Sequence, residues 1–174
     1  MPLDAAAWPP PRGTAIVDGI RLQPKATLHL TVFGRRLGGE LRATLAPGYL
    51  EDALREAWRP AAWRISGGGR LLLLRRRVPG DGGPVAVHSV IECVQVAGMA
   101  PFHHALGRLL GRQLPVPPPH VTLYVAGRES GIGVADMRQL RARTVRQVAP
   151  AELDGRLRRV TDPPVRGPGV VPAE

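Results

Sequence analysis

Apolar and polar residues alternate near the start of the chain, which is the pattern of half-buried strands. Thr14–Val17 and Ile20–Leu22 flank Asp18-Gly19, a dipeptide that favours a tight hairpin turn. A longer strand is predicted over Thr27–Phe33, and the glycines at positions 34, 38 and 39 are expected to end it. Its side chains point alternately to two faces, with Leu28, Leu30 and Val32 on one and His29, Thr31 and Phe33 on the other.

Apolar residues at intervals of three and four predict three helices further along the chain. They are Tyr49–Arg59, a helix that Pro101 opens and that ends before Pro115, and Asp136–Val148. The segments predicted to be extended are Trp63–Ser66, Arg70–Val78, Val85–Val96 and His120–Ala126, with a turn at Gly67–Gly69 and a loop over 79–84. This order of strands and helices predicts an α+β fold with a mostly antiparallel sheet.

Prolines divide the chain into three parts. Residues 1–12 contain Trp8-Pro9-Pro10-Pro11 and are expected to form an irregular arm. Residues 161–174 contain four prolines and are expected to form a disordered tail. Residues 13–160 are therefore predicted to be one domain, a size typical of a single globular unit.

The charge balance indicates a polyanionic partner. The chain has 24 Lys and Arg residues against 14 Asp and Glu, which gives a net charge of +10 and an isoelectric point near 11.5. Such a surface favours RNA or nucleotides, although a solvated basic surface without a dedicated partner is the alternative. Cys93 is the single cysteine, which excludes an intrachain disulfide and a zinc site built from cysteines. The chain has no apolar run of about 18 residues and no signal-peptide pattern at its start, so we expect a cytoplasmic protein that is not bound to membranes.

One short pattern occurs twice, 91 residues apart. Both His29-Leu30-Thr31-Val32-Phe33 and His120-Val121-Thr122-Leu123-Tyr124 read His, aliphatic, Thr, aliphatic, aromatic. In a strand, each copy presents His, Thr and the aromatic ring on one face. Two histidines can act as the acid and the base in cleavage of a phosphodiester, and a Thr hydroxyl can donate to a phosphate oxygen. This chemistry requires no metal or other cofactor.

These residues resemble the 2H phosphoesterase superfamily, which includes the RNA 2′,3′-cyclic phosphodiesterases also called 2′-5′ RNA ligases. The resemblance covers about residues 13–126. It implies a bilobal, pseudo-twofold α+β fold with mostly antiparallel sheets and flanking helices. It also implies that His29 and His120 are the catalytic acid and base and that Thr31 and Thr122 bind phosphate.

Other residues extend or limit this interpretation. Phe33 and Tyr124 are candidates for stacking on a base, or for packing beneath the site, and Arg35 and Arg128 are candidates for contacting substrate. Cyclic phosphodiesterases often have an arginine where this chain has Val125. The Gly131-Ile132-Gly133-Val134 segment and the helix after it are not typical of that subgroup. The tail resembles the 2H domains linked with RNA repair, also called Swiss-army-knife domains, so the substrate stays open. His103 and His104 are expected to be solvent-facing or half-buried, His88 to be an ordinary strand residue, and Cys93 to be a small core residue.

Three functions are consistent with these features. The first is a metal-independent phosphoesterase acting on 2′,3′-cyclic phosphate or a related 2′-linked phosphodiester of RNA ends or nucleotides. The second is a non-catalytic RNA- or nucleotide-binding module on the same scaffold, and the third is a structural protein whose basic face is incidental. We favour the first function, because both His-x-Thr sets are complete. We also expect the protein to be a monomer.

Overall fold

The structure, a computed structural model, describes residues 1–153 and shows an α+β fold. The strands are β1 (Ala15–Val17), β2 (Ile20–Pro24), β3 (Ile65–Val78), β4 (Val85–Val96), β5 (His120–Ala126) and β6 (Thr144–Val148). The helices are α1 (Arg35–Thr44), α2 (Pro47–Trp58), α3 (Met99–Leu109) and α4 (Met137–Arg143), with a 3-10 turn over Pro150–Leu153. None of these helices has the length and apolar character that a membrane span needs. The predicted tail at 161–174 lies outside the described residues.

The six strands form one antiparallel sheet in the order β1-β2-β5-β4-β3-β6. Asp18 and Gly19, both with positive φ (52° and 73°), make the turn between β1 and β2. The antiparallel α+β prediction is confirmed. The bilobal, pseudo-twofold arrangement implied by the resemblance stays a prediction.

Apolar side chains cover both faces of the sheet. Leu71 and Leu73 belong to the main core, which α3 completes with Phe102 and Leu106. Leu72 and Leu74, which point the other way along β3, belong to a second cluster with Ile132, Val134 and Leu140. Covering on both sides explains why four consecutive leucines are buried.

The first correction to the predicted elements concerns α1, which occupies the segment where glycines were expected to break the chain. Gly38 lies beneath the Phe33 ring, where a Cβ atom would be 3.3 Å from Cε2 of Phe33. Leu41, one turn further on, is buried in the main core. Glycine is therefore tolerated here because close packing of the helix compensates for its low helix propensity.

The second correction concerns the strand predicted over 27–33. Only His29 and Leu30 form β-bridges, to Pro2 and Val121 respectively. The N-terminal arm supplies further backbone hydrogen bonds, from Leu30 N to Met1 O (2.9 Å) and from Leu3 N to Leu28 O (3.0 Å). The arm predicted to be irregular thus supports the first His-x-Thr segment.

Two more boundaries differ from the prediction. The three glycines at 67–69 do not separate two strands, because β3 runs through them with a shift in register between Gly67 and Arg70. The helix predicted over 136–148 ends at Arg143, and β6 follows as an edge strand paired with β3. Thr144, Val145 and Val148 are β-branched, so pairing with β3 suits them better than a helix.

Candidate functional site

A single bridge brings the two His-x-Thr segments together. Leu30 pairs with Val121 in antiparallel register. In that register the next residues along place Thr31 opposite His120 and His29 opposite Thr122. All four side chains therefore share one face, which we call the motif face. Opposed Cβ atoms in such pairs are about 4.5–5.5 Å apart and diagonal neighbours about 7–8 Å, so the two histidines lie diagonally across the paired segments.

His120, the first residue of β5, is half-buried and held by a proline-rich segment. Its Nδ1 lies 2.8 Å from the carbonyl oxygen of Pro118. A carbonyl only accepts hydrogen bonds, so Nδ1 carries a proton and the lone pair of the neutral ring is on Nε2. Burial lowers the pKa of His120, the bond to Pro118 raises it, and the nearby charge of His29 lowers it again. The neutral form with a free Nε2 is therefore favoured near pH 7.

His29 and Thr31 are both exposed on the motif face. Burial lowers the pKa of the His29 imidazole, and the positive charges of the N-terminal ammonium and of Lys25 lower it further. The ammonium is fixed nearby because it donates to the carbonyl of Leu30 at 2.9 Å. The first motif is thus accessible to solvent and lies in a positive environment.

Thr122 is half-buried beneath the loop that follows β5. A Cβ atom at Gly131 would lie 2.7 Å from Oγ1 of Thr122, closer than any ordinary contact. Ile132, next in this loop, donates its backbone N–H to the hydroxyl of the buried Ser89 at 3.1 Å. The loop is therefore anchored to the sheet, with a glycine at the position that faces Thr122.

The aromatic residues of the two motifs have different environments. Phe33 is half-buried, stacks on Phe102 with ring centroids 6.2 Å apart, and borders the cleft described below. Tyr124 is fully buried in the main core. The register of β5 against β4 shifts between Val90 and Ile91, so Leu123 is an extra residue that turns Tyr124 to the other face. The predicted sharing of one face by His, Thr and the aromatic ring is thus corrected in the second motif.

An open cleft of about 490 Å³ adjoins the motif face and includes Thr31 and His120 in its wall, although His29 and Thr122 do not line it. Five arginines also line it, namely Arg35, Arg36, Arg76, Arg112 and Arg143. Arg112 is paired with Glu40 at 2.7 Å, and the other four form no ion pair within residues 1–153. The cleft wall is therefore predominantly positive.

The sequence predicted some of the residues that line the cleft. Arg35 was expected to contact substrate and does line the cleft, whereas Arg128 lies outside it and donates to the hydroxyl of Ser130. Arg143 was not expected at the site, because it lies far from either motif in the sequence. Arg76 belongs to the run Arg75–Arg77, which by sequence is either a solvated strand end or an edge that steers phosphate, and the structure places Arg76 in the cleft wall.

His103 differs from its predicted environment. It is only 2% exposed and lies at the cleft, with Nε2 2.8 Å from the carbonyl oxygen of Val32. The ring therefore donates from Nε2 and helps to fix the end of the first motif segment. His104, its neighbour on α3, is exposed as expected. The angle of about 100° between adjacent helical residues allows one of the two to face inward.

Two other residues considered from the sequence, Cys93 and His88, lie within the sheet. Cys93 is half-buried directly opposite His120, and burial raises the pKa of its thiol. His88 lies mid-strand in β4, paired with Ala126 and Arg75, and does not border the cleft. Both positions agree with the ordinary structural roles expected for them.

Within residues 1–153, no three His, Cys, Asp or Glu side chains are grouped so that they can hold a metal ion. No family model, curated protein or solved structure matches the chain.

Proposed function

We propose that this protein is a metal-independent phosphoesterase of the 2H type, with the bilobal fold of that superfamily, acting on 2′,3′-cyclic phosphate or a related 2′-linked phosphodiester of RNA or nucleotides. One observation carries the proposal. Antiparallel pairing at Leu30 and Val121 sets two His-Thr pairs opposite each other beside a positively lined cleft. Such an arrangement supplies two proton-transfer groups and two hydroxyl donors around a single anion.

In the proposed reaction, Nε2 of His120 takes a proton from water as the water oxygen bonds to phosphorus. The bond from phosphorus to one ester oxygen then breaks, and protonated His29 gives its proton to that oxygen. The hydroxyls of Thr31 and Thr122 donate to the non-bridging oxygens, where negative charge develops. We assign the base role to His120 because the bond to Pro118 leaves its Nε2 unprotonated in the neutral ring. His29 suits the acid role because its exposure lets it regain a proton from solvent.

The experiment is an assay of the purified protein in EDTA, with 2′,3′-cyclic mononucleotides and with RNA that ends in a 2′,3′-cyclic phosphate. We expect His29→Ala and His120→Ala each to lower kcat by about 10²–10⁴-fold. We expect Thr31→Val and Thr122→Val to lower it by about 10²–10³-fold. His104→Ala is the control, because this exposed histidine does not line the cleft. Unchanged activity in both histidine variants would contradict the mechanism, and loss of wild-type activity in EDTA would contradict independence from metals.

The pH profile gives a second test of the base. Burial is the main cause that lowers the pKa of His120. The base acts in its neutral form, and the acid, His29, acts in its protonated form although its pKa is also lowered. Activity is therefore expected to rise as the pH falls from 8 to about 6.5 and to decline only below the ordinary histidine value, where His120 becomes protonated. The measurement is kcat/KM of the wild type between pH 4.5 and 8. A decline that begins well above pH 6.5 would argue against His120 as the base.

A second candidate is a binding module without catalysis. It is favoured by the four cleft arginines that form no ion pair within the described residues 1–153. It predicts RNA binding that weakens strongly with salt and shows no turnover under any of the conditions above. Binding by the wild type with no detectable product would favour this alternative.

A further inference from the structure

Two arginines face each other in the cleft, one from the sheet and one from the last helix. Arg76 is exposed on β3, and Arg143 is half-buried at the end of α4. Arg143 donates to the carbonyl oxygen of Gly133, which fixes its guanidinium against the loop that covers the second cluster. Neither residue belongs to an ion pair within residues 1–153. We call these two residues the arginine pair.

The charges of the arginine pair oppose each other. Burial lowers the pKa of Arg143, the charge of Arg76 lowers it further, and Asp136 opposes this effect. Asp136 is itself engaged in capping α4, where its Oδ1 accepts from the backbone N–H of Gln139 at 2.7 Å. An anion that reaches both guanidiniums would relieve the repulsion and receive charge-assisted hydrogen bonds.

The arginine pair is distant from the histidines along the sheet. Arg70, Cys93 and His120 lie at one level across β3, β4 and β5, since Cys93 pairs with both of the others. Arg76 is six residues further along β3, which corresponds to about 20 Å of strand. A phosphate held between His29 and His120 is therefore too far away to be the anion that the arginine pair binds.

We propose that Arg76 and Arg143 bind a backbone phosphate of an RNA strand whose reacting end lies between the two histidines. The inference rests on the proposed function and narrows its substrate class from any cyclic nucleotide to an oligonucleotide. The shared cleft, which runs from Thr31 and His120 to the arginine pair, gives the strand a continuous positive path. A mononucleotide has no second phosphate at that distance and gains nothing from the pair.

The test compares two substrates in Arg76→Gln and Arg143→Gln: a 2′,3′-cyclic mononucleotide and a five-nucleotide RNA with a 2′,3′-cyclic phosphate end. Each variant is expected to lower kcat/KM for the RNA by about 10- to 100-fold, mainly through KM, and to leave the mononucleotide unchanged. Arg77→Gln is the matched control, because Arg77 is exposed on the same strand but does not line the cleft. Equal effects on both substrates, or no effect on the RNA, would overturn the inference.

A binding measurement separates this inference from the proposed catalysis. Fluorescence anisotropy with a five-nucleotide RNA ending in a 3′-phosphate reports affinity without turnover. For a single strand, removing one phosphate contact is expected to reduce the slope of log K against log salt by about 0.7. An inactive wild type would refute the proposed phosphoesterase, while the salt slopes of Arg76→Gln and Arg77→Gln would still decide the role of the arginine pair. Identical salt slopes in these two variants would refute phosphate binding by the arginine pair. Because Arg76 is exposed, it can be replaced without disturbing the core.

Discussion

At the scale of single residues, a glycine controls the space around one of the two motif threonines. Gly131 lies where any side chain would collide with Thr122, with a Cβ atom 2.7 Å from Oγ1 and 2.9 Å from Cγ2. Gly133, two residues further along the same loop, has no described atom within 4 Å of a Cβ in the same position. The two glycines therefore give a matched pair for testing whether the Thr122 hydroxyl must stay in place.

We expect Gly131→Ala to lower kcat by about 10-fold or more, because the added methyl group must displace the Thr122 hydroxyl or the loop above it. Gly133→Ala is expected to keep the wild-type kcat. Both variants are measured with a 2′,3′-cyclic mononucleotide, which does not reach the arginine pair beside Gly133, and their unfolding midpoints in urea are compared. Equal activity in the two variants would show that the position of Thr122 does not matter to catalysis.

At the scale of elements, the two adjacent glycines of α1 have different structural roles. Gly38 is buried and touches the Phe33 ring, whereas Gly39 is exposed with no described atom within 4 Å of an added Cβ. Phe33 in turn stacks on Phe102 of α3. The absence of a side chain at Gly38 therefore lets α1 approach the end of the first motif. The absence of a side chain at Gly39 serves no packing purpose.

Gly39→Ala is expected to stabilise the protein by about 0.5–1 kcal/mol, because alanine costs less backbone entropy in a helix. Gly38→Ala gains the same propensity but must move the Phe33 ring, so we expect no gain or a net loss of stability. Urea unfolding of both variants, followed by circular dichroism, provides the comparison. A stabilisation of equal size in both would mean that Phe33 yields freely.

At the scale of the whole molecule, the sheet curls so that its two edges meet. Arg146 on β6 pairs with Asp18 in the β1–β2 turn at 2.7 Å and with Glu152 at 2.6 Å. Leu153, next to Glu152, is fully buried in the main core together with Ala15 and Val17. Contacts between residues more than 120 positions apart in the sequence thus connect the first strand to the last.

These ion pairs between the two edges of the sheet predict that the stability of the fold depends on pH. The bond from Arg146 lowers the pKa of Glu152 to about 2, and a bond from the same arginine lowers the pKa of Asp18. A carboxylate with a lowered folded-state pKa stabilises the fold above its unfolded value of about 4.5, and that contribution is lost as the pH falls towards 2. Arg146→Gln is therefore expected to lower the urea midpoint at pH 7 more than at pH 3. Because all three side chains are solvent-accessible, the difference should be small and should shrink further in 1 M salt. The same loss at both pH values would mean that these ion pairs do not hold the edges together.

The sequence by itself determined the features that depend on local patterns. The β1–β2 hairpin follows from Asp18-Gly19, α2 and α3 follow from apolar spacing, and β5 follows from the alternation in His120–Ala126. The element predictions succeeded because each depends on residues close to one another in the chain. The repeated His-x-Thr pattern named four side chains that the fold places on one face, and their catalytic roles stay a prediction.

Tertiary contacts decided what surrounds those side chains. The first motif is held by Met1 and Val121 instead of a regular strand, the extra residue Leu123 turns Tyr124 into the core, and Arg76 meets Arg143 across the cleft. Each of these outcomes depends on pairing or packing between distant segments, which a local pattern does not contain. Chain composition thus predicted an anionic partner, but only the fold determined which arginines line one cleft.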